Sequence, residues 1–164
     1  MKQIFFLLLC AFNALVADDI TGFWKSVNEK TGLAQCVVAV YEYDGLCYGR
    51  IIGTYDDKGH MKDTIYAPKE RAPGVIGNPF YAGLDLIWDL VPSGSSYKGK
   101  IIDPQKGNIY NSELWTQDGN LVVRGKLLFF GRNQTWLPVT NADFPKGFKR
   151  PDPATFVPVI PEVE

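Results

Sequence analysis

The chain has 164 residues, 46% of them apolar and 13% aromatic, with a formal net charge of −1. A domain of this size and apolar content can bury a packed core without staples. Its lysines and arginines are scattered and form no basic stripe to neutralise phosphates, which excludes nucleic acid as a partner.

Lys2 opens the chain and is followed by the apolar run Ile4–Phe12, then by Asn13-Ala14-Leu15-Val16-Ala17-Asp18. A charged start, a short apolar stretch and a small residue before a polar segment predict a cleavable leader over residues 1–17. The run is too short to cross ~30 Å of hydrocarbon as a helix. The expectation is an exported chain, periplasmic or secreted, with no transmembrane helix once the leader is removed.

Beyond the leader, helical periodicity is nearly absent. Short β-rich runs alternate with Gly, Asp, Asn and Pro, the pattern of a sandwich or barrel. Eight strands are predicted, over 20–27, 34–43, 46–55, 83–92, 96–103, 108–116, 120–130 and 132–137. The fold class is all-β: a single antiparallel barrel over 18–137, followed by a Pro-rich tail over 138–164.

Asp44-Gly45 predicts a two-residue hairpin turn. That register pairs Tyr43 with Leu46, Glu42 with Cys47, and Cys36 with Gly53. Cys36 and Cys47 then lie on one face but about six residues apart along the ladder, too far to bridge at ~3.4 Å per residue. Two free thiols are expected. Residues 56–82 form the one long irregular stretch, a length that often serves as a lid or binding loop. It carries Asp56, Asp57, His60 and Asp63. With His60 the sole histidine, a multi-His metal site within the chain is excluded. The acids match no calcium-loop spacing, and no metal or cofactor is implied.

In Leu84–Leu90 the even positions are apolar, which predicts Trp88 pointing inward and Asp85 and Asp89 outward. Asp103-Pro104-Gln105-Lys106-Gly107 reads as a turn tied by Asp103. The Asp118-Gly119 hairpin pairs Trp115 with Val122, Leu114 with Val123, and Glu113 with Arg124 as a cross-strand charge pair. One face of that hairpin gathers Tyr110, Leu114, Leu121, Val123, Leu127 and Phe129. If the barrel is hollow, Trp88, Tyr110, Leu114, Leu127 and Phe129 line a ligand cavity; if filled, they pack it. Arg132 is expected at a barrel end, stacked on Trp24 or Trp136. The tail is expected to pack over a barrel surface or extend as an arm.

Further motifs run in order along the chain: Gly22-Phe23-Trp24, Tyr48-Gly49-Arg50-Ile51-Ile52, Lys98-Gly99-Lys100-Ile101-Ile102-Asp103-Pro104, Leu121-Val122-Val123-Arg124-Gly125, and Gly131-Arg132-Asn133-Gln134-Thr135-Trp136. Together they resemble the DUF2147 family of exported bacterial proteins over about residues 20–137. The resemblance implies a lipocalin-like (calycin-type) barrel in the envelope and supplies no established activity. It also supports a structural clamp of Trp24 with Arg132.

Three functional readings stand side by side at this point. The first is a non-enzymatic binding module for a small apolar or envelope-derived ligand. The second is an interaction protein of the cell envelope. The third is an envelope-acting hydrolase using Asp103 or a loop carboxylate, which for glycoside cleavage needs a second carboxylate at a suitable separation.

Overall fold

The protein is described by a computed structural model that covers residues 15–127 and 130–164, without the side chains of Leu127 and Phe130. Most of the expected leader, and Phe129, lie outside the described residues.

Nine strands are present: β1 Gly22–Val27, β2 Ala34–Tyr43, β3 Leu46–Tyr55, β4 Met61–Thr64, β5 Asp85–Ser93, β6 Ser96–Asp103, β7 Asn108–Gln117, β8 Asn120–Leu127 and β9 Phe130–Pro138. Both aspartate-glycine turns form with left-handed backbone at each central residue: φ is 48° and 79° at Asp44-Gly45, and 53° and 78° at Asp118-Gly119. Such turns match the strand twist, and they fix the registers that follow. Tyr43 faces Leu46 and Glu42 faces Cys47. Gln117 faces Asn120, and Glu113 faces Arg124.

Antiparallel pairing runs β1-β2-β3-β5-β6-β7-β8-β9 and returns from β9 to β1, so eight strands close a barrel. β3 divides its second edge between two partners. Its first half pairs with β5 through Cys47–Arg50, and its last residues pair with β4 through Gly53–Tyr55. β4 belongs to the predicted irregular stretch, whose alternation was too short to stand out from its turn residues.

Two apolar clusters lie on opposite faces of this wall. Ile20, Trp24, Val38, Val40, Cys47, Ile51, Ile87, Leu90, Leu114, Leu121, Val123 and Trp136 pack inside. Val37, Ala39, Tyr41, Tyr48, Ile52, Tyr55, Leu84, Trp88 and Ile102 face outward and are covered by Ala72 and Val75 of the long loop and by Phe156 of the tail. β2, β3 and β5 are therefore apolar on both faces, as in strands buried from both sides.

The predicted inward position of Trp88 is corrected. The ladder between β5 and β6 slips between Trp88 and Val91, and Asp89 takes a φ of 54°. This bulge interrupts the two-residue period, so Ile87 and Leu90 turn inward and Trp88 turns outward. Gly99 sits opposite: a Cβ there would come within 2.5 Å of the Trp88 carbonyl oxygen, so only glycine admits the bulged strand. Asp85, expected in solvent, is fully buried beneath the tail.

That buried carboxylate organises the outer layer. Arg50 Nη2 donates to Asp85 Oδ2 at 2.8 Å, to Tyr41 Oη at 3.2 Å and to the Val157 carbonyl oxygen at 2.5 Å. Tyr41 Oη donates to Asp85 at 2.9 Å, and the Val159 amide donates to Asp85 Oδ2 at 2.5 Å. The Arg50 guanidinium also lies 4.7 Å from the Phe156 ring centroid. Burial first, and then the Asp85 charge, push the Tyr41 phenol well above its ordinary range. Farther along, Ile76 donates its amide to the Glu162 carbonyl, which laces tail to loop. The tail thus packs on the barrel, one of the two arrangements expected for it.

Two smaller corrections concern charges and cysteines. Glu113 faces Arg124 in register, but it accepts from Lys126 and Ser96. Arg124 turns instead to Asn133 at 2.6 Å and to the Trp115 ring. A bulge between Val37 and Val38 sets Cys36 opposite Thr54, not Gly53. Cys36 and Cys47 are free thiols as expected.

Removing one member of the buried pair leaves the other charged and unpaired. Asp85→Ala is expected to cost about 3–5 kcal/mol in urea denaturation, an effect an exposed pair would not produce. Acid sensitivity has separate sources. The hydrogen bond from Lys126, aided by Ser96, holds the Glu113 carboxyl below its usual range. Burial raises that of Asp143, but the bonds from Lys25 and Thr140 reverse this and leave it lowered. Both groups have a folded value below the unfolded one, so their stabilisation is complete above the unfolded value and is lost as pH falls through the folded one. Stability measured by denaturation is expected to hold down to about pH 4 and decline below it, with Asp143→Asn reducing the decline.

Candidate functional site

The two ends of the barrel differ in what fills them. At the end formed by the Asp44-Gly45 and Asp118-Gly119 turns, the interior is packed by Val40, Leu90, Leu114 and Leu121, with Ile20 entering from the segment before β1. The Trp24 indole N–H donates to the Ile20 carbonyl at 2.9 Å, which ties that segment across the end.

Toward the other end the inward side chains shrink, and a cavity of about 770 Å³ opens. Ile51, Leu86, Ile101, Tyr110, Val123 and Trp136 give it apolar walls. Gln35, Gly131 and Arg132 are exposed at its rim. A volume of this order, mostly apolar and with a few polar groups, suits a small organic ligand. The long loop contributes as well: Tyr81, just ahead of β5, lines the cavity, and burial raises its phenol.

Part of the cavity wall is polar. Ser26 faces Cys36 across β1 and β2, and Cys36 faces Thr54 across β2 and β3. All three line the cavity. Ser26 Oγ and Cys36 Sγ are 3.2 Å apart and share a hydrogen bond. Burial raises the Cys36 thiol, which its bond to Ser26 only partly offsets, so the thiol is neutral at ordinary pH. Gln134 Oε1 accepts from the Trp136 indole N–H at 3.2 Å.

The predicted site residues separate into groups. Tyr110 lines the cavity, and so do Trp136 and Arg132, two of the residues named for the barrel-end clamp. Leu114 is fully buried in the packed end. Trp88 lies on the outer face. The Leu127 side chain and Phe129 are outside the described residues. Trp24 and Trp136 share the inner cluster, but Arg132 is stacked on neither. Trp24 faces Pro138 in the ladder, which places Arg132 six residues, roughly 20 Å, down the strand. The Arg132 side chain is 76% exposed and lies 3.4 Å from Glu29.

The loop acids serve local turns. Asp56 accepts from the Lys58 and His60 amides, and Asp63 accepts from the Glu70 amide. His60 is largely exposed. Asp103 accepts from the Gln105 and Lys106 amides, tying its turn as the sequence suggested. It is the one carboxylate among the described lining residues, so no second acid stands beside it there for glycoside cleavage. Sequence reasoning missed Ser26, Cys36, Thr54 and Gly125. The inward parity of Ser26, Cys36 and Gly125 was readable, but their small size gave no apolar stripe to follow; Thr54 turns inward only through the register shift between Val37 and Val38.

Comparison with known proteins agrees with this architecture. No curated protein matches the chain. Among solved structures, one described as "Protein HP1028 from the human pathogen Helicobacter pylori belongs to the lipocalin family" superposes with a TM-score of 0.59 at 19% identity, covering 76% of this chain and 86% of that one. At that identity the likeness shows a shared lipocalin-like fold. A family model described as "Uncharacterized protein conserved in bacteria (DUF2147)" matches residues 22–137, from the start of β1 to one residue short of the end of β9, and the chain therefore belongs to the DUF2147 family.

Proposed function

We propose that the protein is a non-enzymatic binding module that holds a small apolar or envelope-derived ligand inside the mouth end of its barrel. The observation that carries this reading is the cavity of about 770 Å³ between the packed end and the open rim. An eight-stranded barrel is just wide enough for its side chains to fill it or to enclose one small ligand. Here the bulk lies elsewhere: Trp88, Tyr41, Tyr48 and Tyr55 face outward, while Ser26, Cys36, Thr54 and Gly125 face in at the mouth. Export is part of the proposal. It is supported by the charged and apolar N-terminal run, and it places the module where envelope lipids and their derivatives are encountered.

Gly125 offers a direct test. A Cβ built there has Ile101 Cγ2 as its nearest neighbour, at 3.8 Å, so a larger side chain enters the cavity and not the wall. The uncharged fluorophore N-phenyl-1-naphthylamine is expected to bind the native protein with one-to-one stoichiometry. Gly125→Phe is expected to weaken that binding at least about tenfold while circular dichroism and the denaturation midpoint stay close to native. Equal binding by both proteins places the fluorophore outside the cavity and contradicts the proposal. Native mass spectrometry of the purified protein supplies the complementary result, a co-purifying small molecule released on denaturation.

A further inference from the structure

We infer that the outer face of the barrel is a peptide-recognition groove, which the tail fills in cis and which a partner chain takes with an extended segment bearing a phenylalanine followed two and five residues later by prolines. The groove is separate from the cavity. Its floor is the Arg50–Asp85 pair, assembled within the barrel: Arg50 Nη2 and Tyr41 Oη both donate to Asp85, at 2.8 and 2.9 Å. The occupant is held mainly through its backbone. The Val157 carbonyl accepts from Arg50. Val159 is engaged at both its amide and its carbonyl by Asp85, whose Oδ2 accepts and whose own amide donates. The Glu162 carbonyl accepts from the Ile76 amide at 2.8 Å.

Within residues 151–164 only Phe156 and Pro161 are buried. Phe156 stands edge-on to Tyr41, with ring centroids 5.1 Å apart, and its centroid is 4.7 Å from the Arg50 guanidinium. Val157, Val159 and Ile160 are exposed, so the groove does not read their identity. Phe156 has φ −75° and ψ 137°, the extended form that Pro158 and Pro161 also favour, and little conformational freedom is lost on seating. Backbone bonds for affinity and a pocketed aromatic for specificity are the division of labour of peptide-binding grooves. The tail is also separable from what it covers. The barrel closes from β9 to β1 before the tail begins, and residues 151–164 hold no place in its ladder. The segment leading to them has its own anchor, Lys25 pairing with Asp143 at 2.5 Å. A tethered tail acts at an effective concentration on the order of millimolar, so the identical tail of a second copy loses to the one in cis. The chain that displaces it is therefore a different one, of the same chemistry and tighter fit.

The test titrates the full chain carrying Phe156→Ala, whose tail has lost its anchor, with a fluorescein-labelled peptide of native residues 152–164 and reads fluorescence polarisation. Saturable binding is expected, with a Kd on the order of tens of micromolar or tighter. The native protein, whose own tail competes, is expected to bind the peptide at least about tenfold more weakly. The same peptide with Phe156→Ala is expected not to bind, whereas Ile160→Ser in the peptide, at an exposed position, is expected to leave binding unchanged. If the Phe156→Ala chain does not fold, Val159→Pro opens the groove by removing the amide that donates to Asp85. Adding Gly125→Phe to the opened chain is expected to leave peptide binding unchanged, which separates the groove from the cavity. No saturable binding to either opened chain overturns the inference, and so does equal binding of the peptide without its phenylalanine. A concentration-dependent dimer of the native protein that the peptide dissolves makes a second copy the occupant and overturns the assignment to a partner chain.

Discussion

The buried ion pair between Arg50 and Asp85 lies outside the barrel, and the arrangement of both faces of the wall depends on it. Three elements that are distant in sequence meet there. Arg50 comes from the middle of β3, Asp85 from the start of β5, and the backbone of Val157 and Val159 from the tail. A buried pair of this kind is weak evidence for net stability, because desolvation opposes the attraction. Its contribution is specificity of placement. The guanidinium and the carboxylate each keep hydrogen-bonding capacity that only a chain segment in the tail's position fills. Once the tail is fixed, Phe156 closes over Tyr41, with ring centroids 5.1 Å apart in an edge-on arrangement.

That outer layer explains why the barrel has room inside. A strand has a limited number of large side chains, and a closed sheet must divide them between its two faces. In most small barrels the outer face is polar and the bulk goes in. Here a second apolar layer exists outside, so Trp88, Tyr41, Tyr48 and Tyr55 are buried without entering the barrel. The interior keeps enough aliphatic volume to pack one end and leaves the other open. The long loop takes part in both layers: Ala72 and Val75 cover the outer face, β4 extends the wall beside β3, and Tyr81 reaches the cavity.

The hairpins were readable from the sequence because each rests on a local device. Asp44-Gly45 and Asp118-Gly119 impose a turn whose geometry propagates pair by pair, and the strand limits around them agree to within a residue or two except at the end of β8, where 120–130 became Asn120–Leu127. Errors arose wherever the period of two was broken. The bulge at Asp89 reversed Trp88, and the bulge between Val37 and Val38 moved Cys36 by one partner. Nothing local in the sequence marks either bulge, since each is settled by what the neighbouring strand accepts, as Gly99 accepts the Trp88 carbonyl. The cavity was half legible. Tyr110 was named for it and lines it, while Trp136 and Arg132, read as a clamp, line it as well; the small residues that create the space carry no apolar stripe. Asp85 looked like a solvent-facing acid because its partners lie 35 residues back, at Arg50, and 74 residues ahead, at Val159.

Bulky side chains packed outside the barrel leave apolar space at its mouth end. Xenon binds apolar space through dispersion alone and needs no knowledge of the natural ligand. A crystal of the protein pressurised with xenon therefore measures that space directly. Xenon density is expected between Ile51, Ile101, Val123 and Trp136, with the Trp88 indole on the outer face. A map with the Trp88 ring inside the barrel and no xenon between those side chains would contradict this arrangement.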